Sequence, residues 1–164
     1  MLRESRRRGV WAILFLLGWA AASESGTAPK TASIRAVIDG DTVELADGRR
    51  VRYIGIDTPE LRRRQGDRWV LRPEPWAEEA LEMNRRLVEG KTVRLELDRE
   101  REDGYRRLLA YVYVGDLFVN GELVRYGLAS VRLYPPNLKQ AETLLKAQRE
   151  AQKAHRGIWG GSPS

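Results

Sequence analysis

Val37-Ile38-Asp39-Gly40-Asp41-Thr42-Val43, followed by Val51-Arg52-Tyr53-Ile54-Gly55-Ile56-Asp57-Thr58-Pro59-Glu60, is the stretch that decides the fold. Both runs are apolar, short and rich in β-branched residues, and each suits a strand. Asp39-Gly40 reads as a turn between Ser33–Ile38 and Thr42–Ala46, and Asp47-Gly48 as a second hairpin turn into Arg50–Ile56. Side chains alternate across a strand, so Asp41 shares a face with Val43 and Leu45, and Arg52 with Ile54 and Ile56. Both stripes are expected to point inward. A buried unpaired charge costs several kcal/mol, so a metal, a partner charge or a wet pocket must offset it. Two readings stay open on these residues: a structural Asp–Arg pair beside a simple turn, or a site where carboxylates attract a hard cation and an arginine attracts a phosphate. Asp57-Thr58-Pro59-Glu60 adds a rigid strand exit, because Pro59 fixes its own φ and pushes Thr58 toward extended geometry.

Downstream, Arg62–Pro75 is polar, carries two prolines and reads as an exposed basic loop that either tracks a nucleic-acid backbone or is merely solvated. Trp76–Val88 is helical, with Trp76, Ala80, Met83 and Leu87 on one face and Gly90 ending it. Thr92–Leu97 and Leu108–Val114 read as the fourth and fifth strands. Glu122–Tyr126 reads as a short helix capped by Asn120 and stopped by Gly127. Asn137 is expected to cap a last long helix lined by Ala141, Leu144, Leu145, Ala151 and Ala154, with Gly157 terminating it. Five short strands with a helix between the third and fourth predict an α+β domain: a five-stranded barrel of the oligonucleotide-binding (OB-fold) type with three helices. That analogy concerns the fold and does not by itself assign a function.

The ends of the chain carry a different message. Residues 1–22 pair the basic head Arg3, Arg6, Arg7 and Arg8 with an apolar run closing on Ala20-Ala21-Ala22, the pattern of an export signal; an uncleaved membrane anchor is the competing reading. Residues 23–32 read as a flexible lead-in, 33–160 as the domain and 161–164 as a disordered tail. The formal charge is +6, and the signal's four arginines and one glutamate account for +3 of it. The remaining mildly basic domain is compatible with a polyanionic partner without requiring one. Cysteine is absent, which excludes disulfides and thiolate metal sites. The one histidine, His155, lies near the C-terminus and reads as a surface residue, against histidine general-base chemistry and against a histidine-rich zinc site.

Several blocks in order carry a resemblance: Asp39-Gly40-Asp41-Thr42; Arg52 with Asp57-Thr58-Pro59-Glu60; Arg107-Leu108-Leu109-Ala110-Tyr111-Val112-Tyr113; Val119-Asn120; and Leu123-Val124-Arg125-Tyr126-Gly127-Leu128-Ala129. Together, from about Ile34 to Trp159, they resemble the staphylococcal nuclease (thermonuclease) family. The resemblance implies a Ca2+-dependent nuclease acting on DNA and RNA. Asp41 and Asp57 resemble the family's calcium carboxylates, with Thr58 supplying a carbonyl. Glu60 resembles the residue that orients or deprotonates the attacking water, and Arg52 and Arg107 the pair that grips the scissile phosphate. Tyr105 and Asp103 match flanking positions, and Tyr134 a tyrosine that packs near the bound nucleotide. The chemistry suits those roles. Calcium takes flexible oxygen coordination, with few protein ligands implying weak affinity of about 0.1–1 mM. A guanidinium fork matches two phosphate oxygens.

Two departures stand out. Arg106 occupies the place where the family carries glycine, which puts the backbone route to Arg107 in question and offers a competing phosphate contact. Arg132 replaces a second aromatic near Tyr134 and trades stacking for a phosphate contact. The resulting expectation is a secreted or periplasmic monomeric nuclease that prefers single strands, with no stable membrane contact once the signal is cleaved. The alternatives are a non-catalytic nucleic-acid-binding module on the same barrel, and a membrane-anchored surface nuclease.

Overall fold

The computed structural model describes residues 30–161. The expected signal, most of the lead-in and the last three residues of the tail lie outside them. In chain order the elements are β1 (Lys30–Asp39), β2 (Thr42–Leu45), β3 (Arg50–Tyr53), β4 (Ile56–Asp57), β5 (Arg62–Gln65), β6 (Arg68–Leu71), α1 (Ala77–Val88), β7 (Thr92–Glu96), β8 (Leu108–Val114), β9 (Leu117–Phe118), α2 (Val119–Arg125), β10 (Ser130–Val131) and α3 (Ala141–Lys153), closed by a single 3₁₀ turn at Gly157–Trp159.

The strands run β3-β2-β1-β7-β8-β9, and a further β3–β8 pairing closes them into a mixed barrel of five main strands with three helices packed on it, as expected. β1 makes the corner. Its first half pairs with β7 (Lys30↔Leu95 to Ser33↔Thr92) and its second half with β2 (Ile34↔Leu45 to Asp39↔Thr42), with register shifts along the second half that bend it. The closing seam is parallel and sets Val51 against Leu108 and Arg52 against Leu109. Val43, Val51, Val93, Leu95 and Val112 fill the interior, with α2 and α3 contributing Leu123 and Leu144.

The structure corrects several expectations. β1 begins at Lys30, so the last residues of the predicted lead-in are paired strand. Arg62–Pro75 is not a bare loop: β5 and β6 form a hairpin, turning at Gly66 with φ of 61°. Arg52 does not point into the core with Ile54 and Ile56. β3 stops at Tyr53, so the inward stripe is Val51 and Tyr53 while Arg52 faces the opposite side. Trp76 precedes α1 in left-handed geometry (φ 72°) rather than lying on its buried face, which is Ala77, Ala80, Asn84 and Val88.

Asn120 is not a cap. It lies inside α2, fully buried, where Oδ1 accepts the Val112 N–H at 3.0 Å and Nδ2 donates to the Ile54 carbonyl at 2.9 Å. Asn137 does not cap α3 either; its side chain exchanges two 2.8 Å hydrogen bonds with the backbone of Glu100. α3 buries Leu144, Ala147 and Ala151, and Ala154 is exposed just past its end. His155 is exposed there, as expected.

Candidate active site

Asp41 immediately precedes β2 and is completely buried. Its Oδ2 accepts the Thr58 N–H at 3.0 Å, while Oδ1 accepts the Thr42 hydroxyl at 3.1 Å and pairs with Arg52 Nη1. The other arm of the same guanidinium donates to Asp57 Oδ1 at 2.7 Å and to the Ile56 carbonyl at 3.3 Å. Thus the buried charge is offset by its partner arginine, and both carboxylates converge on one fork. The guanidinium is not sealed: the Arg52 side chain keeps 19% of its surface exposed, and it lines a pocket on the barrel side.

Gly40 makes this convergence possible. A Cβ there would stand 2.7 Å from Thr58 Oγ1 and 2.8 Å from Thr58 Cβ, closer than real side chains approach. The turn before Asp41 therefore lies directly on the strand exit that carries Asp57 and Thr58. α1 braces the same turn, since Asn84 Nδ2 donates to the Asp39 carbonyl at 2.9 Å and Asn84 Oδ1 accepts the buried Tyr53 hydroxyl at 2.9 Å.

Arg107 reaches the pocket from the residue before β8. The parallel seam places Leu108 beside Val51, so Arg107 and Arg52 arrive on neighbouring strands and both line the pocket, which has a volume of about 470 Å³. Arg107 is held by Asp103, whose Oδ2 accepts from Nε at 2.8 Å and whose Oδ1 accepts the Arg107 backbone N–H at 3.0 Å. Burial pushes the Asp103 carboxyl up, but the hydrogen bonds from Arg107 and Tyr105 outweigh it and hold the group below its ordinary value. Arg106 takes the positive φ (62°) that its place demands, is exposed, and is not among the residues lining the pocket, so Arg107 keeps its position despite the departure.

Tyr134 and Arg132 form another wall. β10 pairs with β4 (Ser130↔Asp57, Val131↔Ile56), which brings Arg132 Nε to 3.7 Å from Asp57 Oδ2. The two hydrogen bonds between Asn137 and Glu100 tie the Tyr134 loop to the segment leading to Arg107. Tyr105 is strongly exposed and lies outside the pocket wall, with its ring centroid 5.5 Å from the Arg107 guanidinium carbon.

The acidic side of the site includes one residue that the sequence presents only as part of a turn. Asp39 accepts the Asp41 N–H at 3.1 Å. Burial pushes its carboxyl above the ordinary value, against the opposing pull of Arg52, Thr42 and Arg107. Glu60 is also raised, first by desolvation and then by the negative charge of Asp39, with Arg52 pulling the other way. Asp39 closes β1 and Asp41 follows the turn, so no strand alternation relates the two, and Asp39-Gly40 reads locally as a turn and nothing more. Among the described residues no three acidic side chains converge into a ready cation cage. The donor chemistry nonetheless suits a hard divalent ion: Asp39, Asp41, Asp57 and Glu60 all offer oxygen, and two of them carry charge that the protein holds at a cost.

A family model described as staphylococcal nuclease homologue matches residues 50–161, from the strand bearing Arg52 to the end of the described chain. The chain belongs to the staphylococcal nuclease family. It is 41% identical over 133 residues to a protein named thermonuclease from Staphylococcus intermedius, spanning 77% of this chain and 74% of that one. It is 36% identical over 146 residues to the thermonuclease of Staphylococcus hyicus, spanning 85% and 81%. Endonuclease YncB of Bacillus subtilis is 37% identical over 130 residues, covering 76% of this chain and 59% of its own length. The member of the family described here is accordingly a nuclease, a hydrolase whose substrate is nucleic acid.

Proposed function

We propose that this nuclease is exported, depends on calcium, and hydrolyses both DNA and RNA with a preference for single strands. The observation that carries the reading is the meeting of Arg52 and Arg107 in one pocket, with the Asp41–Asp57 pair directly behind Arg52. Two guanidinium groups facing one space match the oxygens of one phosphate and keep their charge at any working pH. As water attacks, negative charge grows on the phosphoryl oxygens, and preorganised donors of this kind are worth about 2.7–4 kcal/mol each. Glu60, exposed three residues beyond Asp57 and outside the pocket wall, is the base that takes the water's proton, a role that follows the family resemblance and that its raised carboxyl suits. The phosphorus bond to the 5′ oxygen breaks, that oxygen takes up a proton, and a 3′ phosphate remains. This polarity follows the family resemblance.

Asp41 and Asp57, with the Thr58 carbonyl, are the residues that would hold calcium, and Asp39 and Glu60 add nearby negative charge. Bound there, the ion would polarise a phosphoryl oxygen. Tyr134 offers a base-stacking surface and Arg132 a third cationic contact. Single strands suit a shallow pocket that admits splayed bases. Export rests on the basic head and apolar run of residues 1–22, and the absence of cysteine is compatible with either side of a membrane. A monomer is sufficient for every feature described.

Digestion of plasmid and of RNA by the mature protein, with calcium and then with a chelator, tests the reading, alongside end-group analysis. Calcium is also expected to raise the thermal midpoint, as any ligand of the folded state does. Calcium-independent cutting, or no cutting, would sink the calcium assignment or the activity respectively.

A further inference from the structure

The β5–β6 hairpin leaves the barrel directly after Glu60 and returns at Glu74. Its base is laced: the Glu74 N–H donates to the Glu60 carbonyl at 2.9 Å, the Glu60 N–H donates to Glu74 Oε2 at 3.1 Å, and the Arg72 N–H donates to the Leu61 carbonyl at 3.0 Å. The register is Arg62↔Leu71, Arg63↔Val70, Arg64↔Trp69 and Gln65↔Arg68. Residues directly opposite share a face, so Arg62, Arg64, Trp69 and Leu71 stand together on one side. Arg63 and Val70 stand on the other, where Val70 is half-buried and Arg63 pairs with Glu74 at 2.7 Å. The first face is open to solvent, with Trp69 68% and Leu71 73% exposed. An indole left this bare serves no packing purpose.

Between Arg62 and Arg72 the chain carries five arginines against one aspartate. At about 3.3 Å per residue, the arm extends on the order of 15 Å from Glu60. A flat π-face among guanidinium groups, on a strongly cationic arm rooted at the proposed base, is chemistry for a single-stranded polyanion with unstacked bases. We infer that the hairpin is a second nucleic-acid-binding element, in which Trp69 stacks on a base of single-stranded substrate remote from the cleaved bond and Arg62 and Arg64 hold the adjoining phosphates. This rests on the nuclease reading of the main pocket and names its substrate further: a strand of several nucleotides. Trp69 acts on binding of long substrate and takes no part in bond cleavage.

The test uses the mature protein, Trp69→Ala, Trp69→Phe and the double variant Arg62→Ser/Arg64→Ser. Binding of a fluorescent oligothymidylate about 16 nucleotides long, the upper end of single-strand site sizes, is measured by anisotropy under chelator. Cleavage of a dinucleotide and of long single-stranded DNA is followed with calcium. Trp69→Ala is expected to weaken oligothymidylate binding about tenfold, within the range for loss of one stacked base. Trp69→Phe should recover most of that loss. On long DNA the effect should fall on KM, while dinucleotide kinetics stay at the wild-type level. The arginine double variant should lower the slope of log binding constant against log salt by about 0.7 for each phosphate that is no longer neutralised.

Unchanged oligothymidylate binding by Trp69→Ala would overturn the inference. So would an equal loss on the dinucleotide, which would mean a structural role. Binding to phosphatidylglycerol vesicles that depends on Trp69 while oligothymidylate binding does not would reassign the arm to a membrane. A wild type that binds the oligomer through Trp69 yet cuts neither the dinucleotide nor long single-stranded DNA would instead refute the catalytic reading and leave the arm standing.

Discussion

Asp103 holds Arg107 at two points, accepting from its Nε at 2.8 Å and from its backbone N–H at 3.0 Å. The clamp orients a guanidinium that would otherwise swing on a flexible stem. Asp103→Ala is expected to lower kcat about 10–100-fold, by analogy with orienting partners of metal-site ligands, and to lower the thermal midpoint as well, since the carboxylate also accepts the Tyr105 and Arg107 backbone N–H groups. Because the folded Asp103 carboxyl lies below its ordinary value of 3.8, the clamp's contribution to stability is complete above that value. It is lost only as the pH falls through the still lower folded value. Rate and melting profiles between about pH 5 and 9 should therefore show no Asp103 step.

Arg52 has a double task, and its removal should show both. Arg52→Ala takes the counter-charge from fully buried Asp41 and is expected to cost about 3–5 kcal/mol, as for other broken buried pairs. It should also reduce the rate about 100–1,000-fold through loss of a phosphate donor. Urea unfolding and single-turnover kinetics read the two separately. Asp41→Asn in the same background should recover part of the stability and none of the rate.

Arg106 holds a backbone φ of 62° on an exposed loop. Left-handed geometry costs a non-glycine residue about 1–2 kcal/mol, and glycine gives back about 0.5–1 of that in unfolded-chain entropy. Arg106→Gly should thus stabilise the protein modestly, by about 0.5–1 kcal/mol in chemical denaturation. Its activity on a dinucleotide should match the wild type, since Arg106 does not line the pocket.

Asp39 runs opposite to Asp103. Its folded carboxyl lies above the ordinary 3.8, raised chiefly by burial. It therefore destabilises the metal-free fold increasingly as the pH rises from that value through the folded one. Asp39→Asn keeps an oxygen acceptor for the Asp41 N–H and removes the charge. Under chelator at pH 7 it should gain about 0.5–2 kcal/mol, typical of relieving an unfavourable charge, while the midpoint increase produced by calcium shrinks.

Much of the barrel was legible because β3 and β7 alternate, β8 is a continuous apolar run and the helices carry apolar stripes. What escaped had physical causes. The β5–β6 hairpin is hidden by composition: a run of arginines has no apolar face to betray a strand, and it is held by backbone pairing and by Glu74, which takes the Glu60 N–H and Arg63. Asn120 and Asn137 follow the local rule for helix caps, yet each is used to bridge distant backbone groups, a role no local pattern announces. Arg52 lies opposite to the face that alternation predicts, because β3 ends before Ile54 and the period does not run through to Ile56. At the site, the two arginines and Tyr134 were readable as resemblance and share the pocket. Asp39 was not, since aspartate before glycine is first of all a turn.

The parallel β3–β8 seam joins segments far apart in the chain, and nothing short of that late union puts Arg52 beside Arg107. An unfinished chain thus lacks its grip on phosphate. A chain cut short before β8 would hold one of the two guanidinium groups and no neighbour for it, so the pair is a property of the closed barrel and of no fragment of it.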